Sequence, residues 1–186
     1  LGNDFTNKKN TAGVIYIVRD PRNVVASISN HYQLNLQESV NFLLDEKRFL
    51  YNKNDPNDLS EENIITLLGS WKSHYNSWKI SSNSILIRYE DLLTNTKLEI
   101  QKISDFVKNY INFEINNEKI QNILKSTSFE KLKSMEEKEG FEEAASSEVK
   151  FFNLGPKNNW KNIIDKKLIY IIEKKFSKEM EEIGYI

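Results

Sequence analysis

The stretch Val14-Ile15-Tyr16-Ile17-Val18-Arg19-Asp20-Pro21-Arg22-Asn23-Val24-Val25-Ala26-Ser27-Ile28 decides the fold. Its first five residues form a continuous apolar, largely β-branched run, which predicts a strand buried on both faces, as in a parallel sheet. The run stops at Arg19-Asp20. Pro21 cannot donate to a strand ladder but suits the first turn of a helix, and the apolar residues after it recur at helical spacing. The unit reads as strand, polar turn, helix. Downstream, Ser84-Ile85-Leu86-Ile87-Arg88-Tyr89 predicts a second such strand, which Glu90-Asp91 ends in front of Leu92-Leu93. Two strands are too few for a parallel sheet with both faces covered, so the remaining strands are expected upstream of Leu1.

Around these strands the chain reads as mostly helical. Residues 1 to 13 are polar, without periodicity, and predict a loop or tail. Val40, Leu43, Leu44 and Leu50 predict a helix from Glu38 to about Tyr51, closed by loop chemistry from Asn52 to Asp58. Ser60-Glu61-Glu62-Asn63 opens the strongest helical pattern, in which Ile64, Leu67, Leu68, Trp71, Tyr75 and Trp78 share one stripe. That stripe reads either as core-facing or, with Trp71 and Trp78, as a platform for a ligand. Further helices are expected around Leu98 to Val107, around Ile120 to Leu124, and from Leu168 through Phe176 to Met180. Residues 136 to 148 are acidic and weakly apolar and predict a mobile loop. There is no internal repeat and no domain boundary, so one domain over residues 1–186 is expected.

Composition narrows the functional classes. The net charge of −1, from 26 basic and 27 acidic residues, does not resemble a nucleic-acid footprint, which concentrates lysine and arginine against phosphates. The absence of cysteine excludes disulfides, thiolate metal sites and cysteine nucleophiles and points to a cytoplasmic setting. No apolar run approaches the ~18 residues that a membrane helix needs. The start, Leu1-Gly2-Asn3-Asp4, is neither a signal peptide nor an initiator methionine, so a longer parent chain is expected.

Ligands of open α/β sheets bind at the carboxyl ends of the strands, which directs attention to the first strand-to-helix turn. Arg19 leaves that strand end and Ser27 follows eight residues later; a guanidinium and a hydroxyl converging there would suit a phosphate. On spacing alone, an ion pair of Arg19 with Asp20, or a helix cap, is an equal reading. The six glycines form neither a Walker loop nor a dinucleotide fingerprint. His31 and His74 lack the spacing and partners of metal ligands, and no serine or threonine sits in a nucleophile elbow. Glu90 and Asp91 are adjacent, which favours a turn or cap over a catalytic carboxylate pair.

Four blocks, in order over residues 14 to 161, resemble the sulfotransferases that use PAPS (3′-phosphoadenosine 5′-phosphosulfate). They are Val14 through Ser27; Gly69-Ser70-Trp71 through Trp78 with Ile87-Arg88-Tyr89-Glu90-Asp91-Leu92 and Glu99 through Val107; Thr127-Ser128-Phe129-Glu130-Lys131-Leu132-Lys133; and Phe151-Phe152-Asn153-Leu154-Gly155 through Trp160-Lys161. The resemblance implies an α/β three-layer fold with a central parallel sheet flanked by helices, related to nucleotide kinases. It also implies sulfuryl transfer from PAPS, without a metal, to a hydroxyl or amine of a small-molecule or glycan acceptor. By position it assigns Arg19 and Ser27 to the 3′-phosphate, Thr127 and Phe129 to the adenine, Tyr89 to the side of the nucleotide, and Gly155 to a close backbone approach to the phosphate. Trp160 matches the family tryptophan or serves packing.

The chain departs from the family pattern in several places. Asn153-Leu154 stands where an Arg-Lys pair is usual, and Pro156, Lys157, Asn158 and Asn159 replace the usual glycine and aspartate; Lys157 is the candidate substitute cation. The family's phosphosulfate loop and its general-base histidine would precede Val14, and neither His31 nor His74 occupies that position. No catalytic residue is therefore assigned within the chain, and the fragment alone is expected to be inactive. The C-terminal dimer motif of some members is absent between Lys161 and Glu173. Two rival readings remain: a helical partner-binding module using Trp71, Tyr75 and Trp78, and a nucleotide or nucleoside kinase relative.

Overall fold

The computed structural model describes residues 9–50, 66–79, 83–144, 146 and 148–186. The first eight residues, the 52–58 loop, and the helix opening at Ser60 with Ile64 lie outside the described residues. The described chain groups into two compact units, Leu1–Asp20 with Trp78–Asn159, and Pro21–Ser77 with Trp160–Ile186.

The first unit carries the parallel ladder. Strand β1 (Val14–Val18) pairs with a later strand, Ser84–Arg88, in the register Val14↔Ser84 through Val18↔Arg88. The expectation of strands buried on both faces holds only in part. Val18 and Ile87 are 2% and 1% exposed, whereas Ile15 and Ile17 of β1 are 41% and 53% exposed. Among the described residues β1 has this one neighbour strand, and the helices that pack on the ladder do so chiefly on its partner.

In the second unit, α1 (Pro21–Tyr32) packs on α2 (Leu36–Leu44) and on the long C-terminal helix Lys166–Ile183. Asn35 and Glu38 close a capping box on α2, each accepting the other's backbone N–H at 2.9 Å. Helix α2 was expected to reach Tyr51 but stops at Leu44. There the Asp45 carboxylate accepts the Lys47 N–H at 2.9 Å and turns the chain. Leu50 instead joins the short strand β2 (Phe49–Leu50), antiparallel to β3 (Thr66–Leu67).

The helical stripe expected from Ile64 is corrected in the same region. Thr66 and Leu67 are extended, and α3 begins only at Trp71 and runs to Lys79. The cause is Gly69, held at φ +67°, which no α-helix accommodates; Leu68 and Gly69 both donate their N–H to the Arg48 carbonyl, at 2.8 and 3.0 Å. From Trp71 onward the pattern is helical. Trp71 and Tyr75 are buried, with the Trp71 ring 5.2 Å from Phe176, so these two serve the core and offer no exposed platform or partner face.

Back in the first unit, the second ladder strand is β4 (Ser84–Arg88). It passes straight into α4 (Tyr89–Thr94), and α5 (Thr96–Val107), α6 (Asn117–Ser126) and α7 (Phe129–Glu139) follow. Helices α6 and α7 start at side-chain caps, Asn116 accepting from Lys119 N–H and Ser128 from Lys131 N–H. The segment read as a mobile acidic loop from residue 136 is helical to Glu139 and ends at Gly140, φ +76°. A 3₁₀ turn at Gly155–Lys157 precedes α8 (Trp160–Ile163) and α9 (Lys166–Ile183) of the second unit.

Helix α9 is amphipathic as its sequence requires: Leu168, Ile172, Phe176, Met180 and Ile183 form one buried stripe. Asp165 caps its start, and Gly184 in the left-handed conformation ends it.

Candidate functional site

Register builds the first part of the site. Because Val18 pairs with Arg88, the residues that follow each strand emerge side by side. Arg19 and Tyr89 are the first such pair, and the Arg19 guanidinium lies 4.4 Å from the centroid of the Tyr89 ring, a cation–π arrangement. Asp20 and Glu90 are the second pair. The buried Asp20 backbone donates its N–H to Glu90 Oε1 at 3.0 Å, tying the two strand ends together. Glu90 and Asp91 occupy the first turn of α4, where the helix dipole favours carboxylates. The turn role expected of this pair is the one the structure displays.

The second group of candidate residues lies at the joint between α6 and α7. Thr127 is the C-cap of α6, and its hydroxyl donates to the Ile123 carbonyl at 2.7 Å. Ser128 caps α7, and Phe129 is its first residue. The Phe129 ring packs edge-on to Phe152, with centroids 6.3 Å apart. Gly155, at φ +51°, lies against the same ring: a Cβ there would meet Phe129 ring atoms at 2.3–2.6 Å. Glycine is thus required twice over, by backbone conformation and by space. Lys157, two residues on, is exposed.

The structure therefore brings together Arg19 with Tyr89, and Phe129 with Gly155. Ser27 belongs to the other unit, on an exposed position of α1. Trp160 has the packing role: Arg22 places its guanidinium 4.1 Å from the Trp160 ring centroid, and Asn23 Oδ1 accepts the Trp160 N–H at 2.9 Å. Arg22 also pairs with Glu173 at 2.5 Å and donates to the Tyr185 carbonyl. Among the described residues no group of three or more His, Asp or Glu side chains could hold a metal. His31 sits edge-on to Tyr32, and burial pushes the His74 pKa down.

Sequence reading missed two polar ties, that of Glu90 to Asp20 and that of Glu136. The buried Glu136 accepts the backbone N–H groups of Phe151 and Phe152, at 2.6 and 3.0 Å. One signal for it was available, since Glu136 stands two helical turns after Phe129 and so on the same face of α7.

Residues 5–184 match the sulfotransferase domain family. The chain is a member of the sulfotransferase family. This sulfotransferase is 27% identical over 183 residues to the flavonol 3-sulfotransferase of Flaveria bidentis, covering 93% of the chain and 56% of that protein. It is 29% identical over 130 residues to sulfotransferase 1B1 of Canis lupus familiaris, covering 67% of the chain and 38% of that protein. The chain thus spans about half the length, or less, of these relatives. Among solved structures it resembles a mouse sulfotransferase complexed with PAP, with a TM-score of 0.65 and 23% identity over 90% of this chain and 58% of the other. It also resembles a retinol dehydratase in a complex with retinol and PAP, with a TM-score of 0.58 and 20% identity over 90% and 47% of the two chains. The fold is accordingly the α/β sulfotransferase fold, here mostly helical around a two-stranded parallel ladder. No helix among the described residues is long and apolar enough to cross a membrane.

Proposed function

We propose that this sulfotransferase chain binds the adenosine 3′-phosphate end of PAPS. The protein it belongs to would transfer the sulfuryl group from PAPS to a hydroxyl or amine of a small-molecule or glycan acceptor. The observation that carries the reading is the Arg19 guanidinium over the Tyr89 ring, 4.4 Å from its centroid, at the carboxyl ends of two parallel strands. A guanidinium held over an aromatic ring keeps its N–H donors in a planar fork, the geometry that grips phosphate oxygens. Two structurally similar proteins whose solved complexes contain PAP support the same ligand class.

In this proposal Arg19 holds the 3′-phosphate, Thr127 and Phe129 flank the adenine, Tyr89 lies beside the nucleotide, and Gly155 lets the backbone approach, while the Ser27 hydroxyl is assigned to the phosphate by the resemblance alone. Lys157 supplies the cation that Asn153 and Leu154 do not. Sulfuryl transfer breaks the bond from sulfur to the 5′-phosphate oxygen and forms one to the acceptor oxygen or nitrogen. Binding energy from this remote end of the nucleotide orients the reacting sulfur. The acceptor must also give up a proton to a general base, and no residue of this chain is assigned that role. A cytoplasmic setting, read from the cysteine-free composition, belongs to the same proposal.

Titration calorimetry with PAP tests the assignment. Arg19→Ala removes a charge-assisted contact and is expected to cost about 1.5–3 kcal/mol of binding, roughly 10- to 150-fold in affinity. An unaltered affinity refutes it. Lys157→Ala is expected to weaken PAP binding in the same direction, and an unchanged affinity removes Lys157 from the site. A preference for ATP over PAP would favour the kinase-relative reading instead.

A further inference from the structure

The carboxylate of Glu136 lies outside every motif that the function uses, yet it is only 4% exposed and each of its oxygens accepts a backbone N–H. Phe129 and Glu136 are seven residues apart, so they stand on one face of α7, about two turns from each other. Residues 151–155 run back along that face. Their beginning is held at Glu136 by the N–H groups of Phe151 and Phe152, and their end lies at Phe129, where Gly155 meets the ring. Between these two points Phe152 packs against both Phe129 and Phe141, with centroids 6.3 and 5.2 Å away. The segment is thus pinned in register against α7 by one carboxylate and one glycine-to-ring contact.

We infer that Glu136 is a positioning residue for the nucleotide site: it sets the register of residues 151–155 on α7 and thereby seats Gly155 against Phe129. This rests on the assignment of Phe129 and Gly155 to the nucleotide. The carboxylate is suited to the task because two consecutive N–H groups need two acceptors on one rigid plane. An amide offers one acceptor, and its NH₂ would face the second N–H. A neutral hydrocarbon would take the acceptor from both donors.

The test is Glu136→Gln in the intact protein, read by amide hydrogen exchange and by PAP titration. Exchange at Phe151 and Phe152 is expected to rise at least tenfold, and PAP affinity to fall about tenfold. In a Gly155→Ala background the Glu136→Gln loss should vanish, because the seat it maintains is already gone, whereas Arg19→Ala should remain additive. A purely structural role would not produce that selective non-additivity. If exchange rises while PAP affinity holds, or if the Glu136 and Gly155 losses add, the inference is overturned and the nucleotide reading stands. If the unsubstituted protein fails to bind PAP, the nucleotide reading itself falls and takes the inference with it. Should Glu136→Gln not fold, Phe152→Leu loosens the same segment while keeping its N–H groups on the carboxylate. It carries the same expected loss of PAP affinity and the same non-additivity with Gly155→Ala.

Discussion

Each of the two units is stabilised internally by different means. The one built on α1, α2 and α9 buries a continuous apolar set that runs from Val25 and Val40 through Trp71 to Ile172, Phe176 and Met180. Among the described residues the β1–β4 unit buries three apolar side chains, Val18, Ile87 and Ile120, and its other buried groups are Asp20, Glu99, Ser104 and Glu136. There, polar ties carry the arrangement: Asp20 N–H to Glu90, Lys102 to Glu99, and the Phe151 and Phe152 N–H groups to Glu136. The difference teaches where the chain keeps stability and where it keeps its candidate site. Apolar burial is strong but non-directional, so it suits a scaffold. Hydrogen bonds are weaker in net terms but fix distance and angle, as a site requires.

The largest expected effect breaks the apolar side of this comparison. Phe176 is 0% exposed, and Phe176→Ala should destabilise its unit by about 3–5 kcal/mol in denaturant unfolding, since transfer and cavity costs add. A loss below ~1 kcal/mol would show that the α9 stripe is not the scaffold. An intermediate effect is expected in the polar unit. Gly155→Ala places a Cβ against Phe129 and forces a left-handed non-glycine residue, costing about 1–2 kcal/mol and weakening PAP binding. Unchanged stability with unchanged PAP affinity would remove Gly155 from the site.

The smallest effects are those of pH, and they fall on the scaffold unit. Burial, then hydrogen bonding to Glu182 and the charges of Glu182 and Glu179, pushes the Tyr75 pKa up from 10.0 to about 12. The folded state therefore holds that proton when the unfolded chain has released it, and the stabilisation present below pH 10 is lost as pH rises toward 12. Burial pushes His74 the other way, below its ordinary 6.5. The unfolded chain then binds the proton first, and stability falls as pH drops through about 6.5. Thermal unfolding of His74→Gln compared with the native protein between pH 5 and 8 checks the sign: the substitution should flatten the acid limb.

Much of the fold was legible because its signals are local. The runs Val14–Val18 and Ser84–Arg88 need only five consecutive side chains to declare themselves strands. The α9 stripe repeats at helical spacing from Leu168 to Ile183. One misreading came where a single residue overruled a periodicity. Leu67, Trp71 and Tyr75 fit a single helical stripe, but Gly69 at φ +67° separates the strand carrying Leu67 from the helix carrying the other two. Residues 136–139 looked like an acidic loop because their composition is that of a solvated segment. In the fold, Glu136 is buried by partners fifteen and sixteen residues away, which no local window contains.

By itself the sequence determined the two ladder strands, the C-terminal helix, the strand-to-helix turn at Arg19, and the four ordered blocks that mark a sulfotransferase. Those are properties of side-chain chemistry and spacing along one chain. Tertiary structure alone decided that Arg19 lies over the Tyr89 ring, that Asp20 is tied to Glu90, that Gly155 sits against Phe129, and that Glu136 holds Phe151 and Phe152. Each depends on the register of β1 against β4, or of residues 151–155 against α7. Register is set by pairing between segments distant in sequence, so it becomes readable only once those segments have met.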